Sequence, residues 1–95
     1  MSIFETVAKE FHMKQEDLLK ESVRIYLIQK LYKIESEMYL ILKKYGIKNI
    51  LDMDSKVKEG LIKEEQAYED YFALDNLEFD RKKIREFLEE LFCKE

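Results

Sequence analysis

The stretch QEDLLKESVRIYLIQKLYKIESEMYLILKKY, residues 15–45, decides the fold of this 95-residue chain. Its apolar side chains recur every three or four residues along one line: Leu27, Leu31, Ile34, Met38, Ile41 and Tyr45. That spacing is typical of one face of an α-helix and not of a strand. A helix of this length extends roughly 46 Å at 1.5 Å per residue. None of its residues forms a catalytic pattern, so the stretch predicts architecture before it predicts activity.

The apolar band on this predicted helix is too wide for a helix that meets only one neighbour. A second apolar line runs beside the first: Ile28, Tyr32, Tyr39 and Leu42. A band of this width needs two or more neighbouring helices to cover it. We therefore expect a homodimer whose interface is centred on Leu31, Met38 and Leu42. Glu35 interrupts the second line, and it either pairs with a basic residue of another helix or lies exposed.

Local signals place three further helices around the long one. Ser2 followed by Glu5 is a capping-box pattern that begins a short helix over residues 3–12. Gly46 and Gly60, each followed by an apolar residue, are helix stop signals. Asn49 caps a second short helix over residues 50–59. Apolar residues at helical spacing then predict a long helix over residues 63–92, with a kink at residues 73–76 where Asp75 and Asn76 are weak helix formers.

These elements predict an all-α fold and a single helical domain over residues 1–95. Its architecture is an elongated antiparallel hairpin or bundle of two long, coiled-coil-like helices joined through short ones. Disorder is excluded because 46% of the residues are hydrophobic. The abundance of Lys and Glu favours a thermophilic source.

The charge is divided along the chain. The net charge of −4 excludes a nucleic-acid binder that works by charge alone. Residues 14–48 carry 8 basic and 5 acidic side chains, whereas residues 49–95 carry 8 basic and 14 acidic ones. A basic middle and an acidic C-terminal half fit pairing between the long helices, or an acidic surface that meets a basic partner.

Catalytic and cofactor-binding patterns are absent from the sequence. The one histidine, His12, has only Glu16 at helical spacing, and one pair does not make a metal site. Cys93 has no histidine to activate it, and the two glycines are too far apart for a phosphate-binding loop. We therefore expect no catalytic residue, no cofactor and no metal. Without a signal peptide or a membrane-spanning run, we expect a cytoplasmic protein with no membrane contact.

Aromatic and acidic residues alternate in YEDYFALDNLEF, residues 68–79. Tyrosine and phenylalanine are frequent anchors of protein interfaces, and carboxylates can steer a basic partner. The same pattern also fits a helix that buries its aromatic rings in the core and exposes its acids. The residues alone leave both interpretations open.

Two stretches together resemble a known group: VAKEFHMKQEDLLKESVRIYLIQKLYKIESEMYLILKKYGI, residues 7–47, and EEQAYEDYFALDNLEF, residues 64–79. They resemble small all-helical, antitoxin-like proteins of archaea and thermophilic bacteria. In these proteins a helix ending in Lys-Tyr-Gly precedes a short helix and an aromatic–acidic stretch. The resemblance implies a small toxin as partner, silenced through Tyr68, Tyr71, Phe72 and Phe79. The chain lacks a β-ribbon or basic arm, so the resemblance does not extend to DNA-binding autoregulation.

The sequence thus favours a non-enzymatic, antitoxin-like module that binds and neutralises a small partner protein. Two alternatives stay open: a nucleic-acid-associated regulator that uses the N-terminal helices, and a purely structural homodimeric bundle. A small helical enzyme would require a bound metal.

Overall fold

The computed structural model describes residues 2–93, with the side chain of Cys93 excepted. The chain forms α1 (Ile3–Glu10), α2 (Gln15–Tyr45), α3 (Ile50–Lys58) and α4 (Glu64–Cys93). The two long helices pack antiparallel over most of their length, and the molecule measures 61 × 23 × 17 Å. No strand occurs in the described residues. The predicted all-α fold and elongated shape are confirmed.

The predicted N-terminal caps of the short helices are present. The Ser2 hydroxyl oxygen accepts a hydrogen bond from the Glu5 backbone N–H at 3.2 Å. The Asn49 side-chain oxygen accepts one from the Asp52 N–H at 2.8 Å, and the Asp52 carboxylate accepts one from the Lys48 N–H at 3.1 Å. Each bond satisfies a backbone donor that has no partner inside its helix.

Both glycine stop signals are also confirmed. Gly46 has φ +62°, and the N–H of Ile47 donates to the carbonyl of Leu42 at 3.0 Å, which closes a Schellman motif. Gly60 has φ +79°, and the N–H of Leu61 donates to the carbonyl of Lys56 at 2.9 Å. The two motifs turn the chain at either end of α3, and this reversal brings α4 back along α2.

Helix α1 ends two residues earlier than predicted, at Glu10. His12 adopts a left-handed conformation with φ +56°, and the N–H of Met13 donates to the carbonyl of Ala8 at 2.8 Å. This is the same stop geometry as at the glycines, built on a residue that carries a side chain. The sequence predicted that the helix continues to His12, because a left-handed conformation is uncommon for any residue other than glycine, although histidine is among the types enriched in it.

The kink predicted at residues 73–76 is wrong, because α4 continues without interruption from Glu64 to Cys93. Leu74 lies in the middle of that segment and is fully buried. Packing of its side chain outweighs the modest helix-forming cost of Asp75 and Asn76, which is a few tenths of a kcal/mol per residue, roughly.

The core is a single apolar cluster along the contact between the long helices and α3. Met53 of α3 and Leu74 of α4 are its two fully buried large side chains. The cluster as a whole comprises Leu27, Ile34, Met38, Ile47, Met53, Ala67, Leu74 and Ile84. Helix α1 packs on α2 and contributes one buried residue, Ala8.

Replacing Gly46 by Ala is expected to lower the free energy of unfolding by about 1–2 kcal/mol, because a Cβ is strained in the left-handed region. Space is not the cause, since no atom lies within 4 Å of the added Cβ. Urea unfolding followed by circular dichroism measures the change. His12→Gly is the matched control: it removes the strained side chain from the same geometry, so stability is expected to stay equal or rise.

Leu74→Ala is expected to destabilise the fold by about 2–5 kcal/mol, the usual cost of truncating a fully buried leucine. Phe79→Ala, on the exposed side of the same helix, is expected to cost about 0.5 kcal/mol or less. Equal losses for the two variants in urea unfolding would contradict the burial described here.

Candidate protein-binding surface

The aromatic residues of α4 divide between the core and the solvent. Tyr68, Phe72 and Phe79 are 59%, 50% and 62% exposed. Tyr71 is half-buried and packs against the core cluster. Ala67 and Leu74 occupy the buried side of the helix. Tyr68 and Phe72, one and five positions after Ala67, and Phe79, five positions after Leu74, therefore project away from the core.

Two of the exposed rings, Tyr68 and Phe72, contact each other, and Phe72 also contacts the half-buried Tyr71. The centroids of Tyr68 and Phe72 lie 4.9 Å apart in an edge-to-face arrangement, and those of Tyr71 and Phe72 lie 6.1 Å apart. Both distances lie in the range of favourable aromatic pairs. Tyr71 therefore connects the exposed ring cluster to the core and limits how far Phe72 can move.

A groove of about 280 Å³ separates α3 from the first turns of α4. Its floor and walls are mostly apolar, and two carboxylates stand at its rim. The lining residues are Asp54, Val57, Glu64, Ala67, Tyr68, Tyr71 and Phe72. Helix α3 is held in place beside it by the Asn49 cap and by the Lys56 ammonium, which donates to the Gly46 carbonyl at 3.1 Å.

The charge on this part of α4 has one sign. Residues 64–80 contain seven acidic side chains and no basic one. Glu64, Glu65 and Glu69 are exposed beside the ring cluster. The basic run that follows is different, because Arg81 lies 3.5 Å from Glu78 and the Lys83 ammonium lies 5.8 Å from the centre of the Phe79 ring. We call the surface formed by Tyr68, Phe72, Phe79 and these carboxylates the acidic aromatic face.

One acid of this segment is used inside the chain. The Lys44 ammonium donates to the Asp70 carboxylate at 2.7 Å, and the Tyr45 hydroxyl donates to the same carboxylate. The hydrogen bond from Lys44, followed by that from Tyr45, holds the pKa of Asp70 below its usual value. Asp70 in turn raises the pKa of Lys44, while burial and the same carboxylate raise the pKa of Tyr45. This network connects the C-terminal end of α2 to α4.

Of the three residues predicted to form a dimer interface, one is buried within the chain and two are half-buried. Met38 is 6% exposed and belongs to the core of one chain. Leu31 and Leu42 are half-buried against the same cluster. Helix α4 covers this side of α2, so these apolar side chains pack within the chain. For Glu35 the structure shows the first of the two predicted alternatives, pairing with a basic residue of another helix. Its carboxylate lies 3.7 Å from the Arg85 guanidinium of α4.

The structure also shows an exposed apolar surface that includes Tyr32 and Tyr39 of the predicted second apolar line. On the side of α2 that faces away from α4, five large apolar side chains are 45–67% exposed: Ile25, Tyr26, Tyr32, Tyr39 and Leu40. Their signal was present in the sequence as two seven-residue repeats. These repeats are hard to recognise because the stronger apolar line at Leu27, Ile34 and Met38 runs along the same helix.

No metal site is found in the part of the chain that the structure describes, since no three His, Cys, Asp or Glu side chains gather there. His12 is exposed at the bend after α1. The side chain of Cys93 lies outside the described residues. None of the described helices has the length and apolar character that crossing a membrane requires.

Comparison with known proteins identifies a family. The model of the uncharacterized protein MJ0235 family matches residues 1–95. The uncharacterized protein MJ0235 of Methanocaldococcus jannaschii is 30% identical over 79 residues, which cover 83% of this chain and 96% of that protein. No solved structure matches the chain.

Asp70→Asn is expected to lower the melting temperature by a few degrees at pH 7 and to have little effect in acid. Because the folded-state pKa of Asp70 is lowered, its stabilisation is present above the unfolded value of about 3.9 and is lost as the pH falls through the folded value. Melting curves at pH 7 and below about pH 3 test this. Glu69→Gln, an exposed neighbour, is the control and should melt like the wild type. A deficit of Asp70→Asn that persists in acid would contradict the ion-pair origin.

Proposed function

The chain belongs to the uncharacterized protein MJ0235 family, and we propose that it is a non-enzymatic protein-binding module of antitoxin-like type. In this proposal it acts in the cytoplasm, where it binds a small basic partner protein and silences it by covering the partner's functional surface. The acidic aromatic face is the contact surface.

A single observation carries this proposal: exposed aromatic rings and the exposed carboxylates Glu64, Glu65 and Glu69 share one face of α4. Large exposed apolar side chains are costly unless they serve a contact, and clustered aromatic rings are typical centres of binding energy. Residues 64–80 contain no basic side chain, and the acids there other than Asp70 and Glu78, which pair with Lys44 and Arg81, supply a long-range attraction for a basic protein. Core packing alone does not explain the cluster, because Tyr68, Phe72 and Phe79 are at least half exposed.

The groove beside α3 provides a binding site for an apolar side chain of the partner, in addition to the attraction between charges. An apolar side chain of the partner would enter between Val57 and Tyr71, while a Lys or Arg beside it would meet Glu64 at the rim. An apolar anchor surrounded by ion pairs is a common arrangement in tight protein complexes. The two contributions have separate roles, because carboxylates mainly accelerate encounter whereas the buried anchor slows dissociation.

The nucleic-acid alternative receives no comparable support. Residues 2–14, which include α1, carry two acidic and two basic side chains and therefore offer no excess of positive charge to phosphate.

The test is co-purification of the tagged chain with its partner from its native cells, followed by reconstitution of the purified pair. We expect one small basic protein at equal stoichiometry. Tyr68→Ala and Phe72→Ala should each weaken binding by about 30-fold, the usual loss at an aromatic hot spot. Tyr32→Ala, an equally exposed tyrosine on α2, is the matched control and should bind normally.

A functional readout completes this test. Expression of the partner alone should arrest growth of a host, co-expression of the wild-type chain should relieve the arrest, and the Tyr68→Ala/Phe72→Ala double variant should not. A partner that binds both variants like the wild type, or duplex DNA bound in its place with steep salt dependence, would refute the proposal.

A further inference from the structure

A second apolar surface lies on the opposite side of the hairpin from the acidic aromatic face. We call it the outer α2 face, and it consists of the five exposed side chains Ile25, Tyr26, Tyr32, Tyr39 and Leu40. They form two adjacent lines with a seven-residue repeat: residues 25, 32 and 39, and residues 26, 33 and 40. Such a repeat keeps its side chains on one face of a helix over several turns and is the pattern of a coiled-coil seam.

We propose that two copies of this chain associate through their outer α2 faces, with the two α2 helices antiparallel. The two-fold axis passes between Tyr32 and Lys33 of each copy. This placement gives every large apolar side chain of the face a matching counterpart, since Ile25 then meets the partner copy's Leu40 and Tyr26 meets its Tyr39.

The pairing at the centre of the face is also favourable. Across the axis, Tyr32 of one copy meets Lys33 of the other, and the arrangement occurs twice by symmetry. A lysine ammonium over a tyrosine ring is attractive, and Lys43 already lies 5.9 Å from the centre of the Tyr39 ring within one chain. The outer α2 face of one copy is therefore complementary to the same face of an antiparallel second copy.

The exposed apolar area matches what a dimer needs. Three tyrosines that are about 60% exposed, with Ile25 and Leu40, present roughly 450 Å² of apolar surface. A standard interface buries about 800 Å² per partner. About 65% of that is apolar in homodimers, or roughly 500 Å². The outer α2 face therefore supplies most of the apolar contact of a stable dimer.

Charge selects the outer α2 face over the acidic aromatic face for a second copy. Between residues 22 and 43 the exposed charged side chains of α2 are of mixed sign: Lys30, Lys33, Glu37 and Lys43. Two copies that met through the acidic aromatic face would bring together two sets of the exposed carboxylates Glu64, Glu65 and Glu69, and like charges at an interface are strongly unfavourable. A dimer through α2 leaves both acidic aromatic faces directed outward.

Sedimentation equilibrium of the purified chain tests the proposal. The expected result is a mass near twice the 11.6 kDa of one chain at micromolar concentration. Tyr32→Glu and Leu40→Glu should each weaken the dimer by more than about 100-fold, because each substitution enters the interface twice. Both residues are at least 65% exposed in the single chain, so the fold should persist, and circular dichroism verifies this.

Tyr68→Glu is the matched control on the other side of the hairpin and should remain dimeric. The pair of variants separates this proposal from the proposed function: Tyr32→Glu should lose the dimer and keep the basic partner, whereas Tyr68→Glu should do the reverse.

Disulfide trapping tests the antiparallel register. In a Cys93→Ser background, a mixture of Tyr26→Cys and Tyr39→Cys chains should form a heterodimeric disulfide on mild oxidation, while each variant alone should not. A monomer at about 100 μM, a dimer that survives Tyr32→Glu, or a Tyr26→Cys chain that cross-links to itself would each overturn the proposal. Closure of the chain's own α1 over this face would appear as the first of these outcomes.

Discussion

The antiparallel contact between α2 and α4 determines where every other feature of the molecule lies. It is fixed at one end by α3, whose Met53 is fully buried together with Leu74 of α4. That packing sets the rotation and register of α4 against α2. The register brings Lys44 to Asp70 and Glu35 to Arg85, and the rotation decides which residues of α4 face the solvent. The acidic aromatic face is therefore a consequence of the core, because it is the side of α4 that the core does not use.

Local signals were sufficient to predict most of this architecture from the residues. The helix caps act on backbone groups only a few positions away, so their effect can be predicted from the sequence. They are the hydroxyl of Ser2, the amide of Asn49 and two left-handed glycines. The two misplaced features depend on something else. The end of α1 depends on a left-handed conformation at His12, which is uncommon for a residue other than glycine. The continuity of α4 through Asp75 and Asn76 depends on burial of Leu74 by distant residues.

The candidate site was predictable as a segment but not as a surface. Residues 68–79 combine aromatic and acidic side chains, yet Tyr68 and Tyr71 are only three positions apart, and one is exposed while the other packs on the core. A small rotation of α4 would exchange their roles. The groove beside them depends on where α3 lies, which follows from contacts between residues far apart in sequence. For the same reason the dimer contact expected at Met38 lies within one chain.

The two exposed faces of the hairpin show how charge assigns similar side chains to different contacts. Both faces present three large aromatic rings or more at similar exposure, so apolar area alone would give them the same affinity for any apolar surface. In the two proposals, the carboxylates on α4 disfavour a second copy there and favour a basic protein, whereas the exposed charges of α2 are of mixed sign and permit a second copy. In the two proposals, segregation of charge along the chain, visible as a basic middle and an acidic C-terminal half, would let one small helical hairpin hold a second copy and a different partner at once. On this argument the basic partner binds without displacing the dimer, because the two contacts lie on opposite sides of the α2–α4 core and share no side chain.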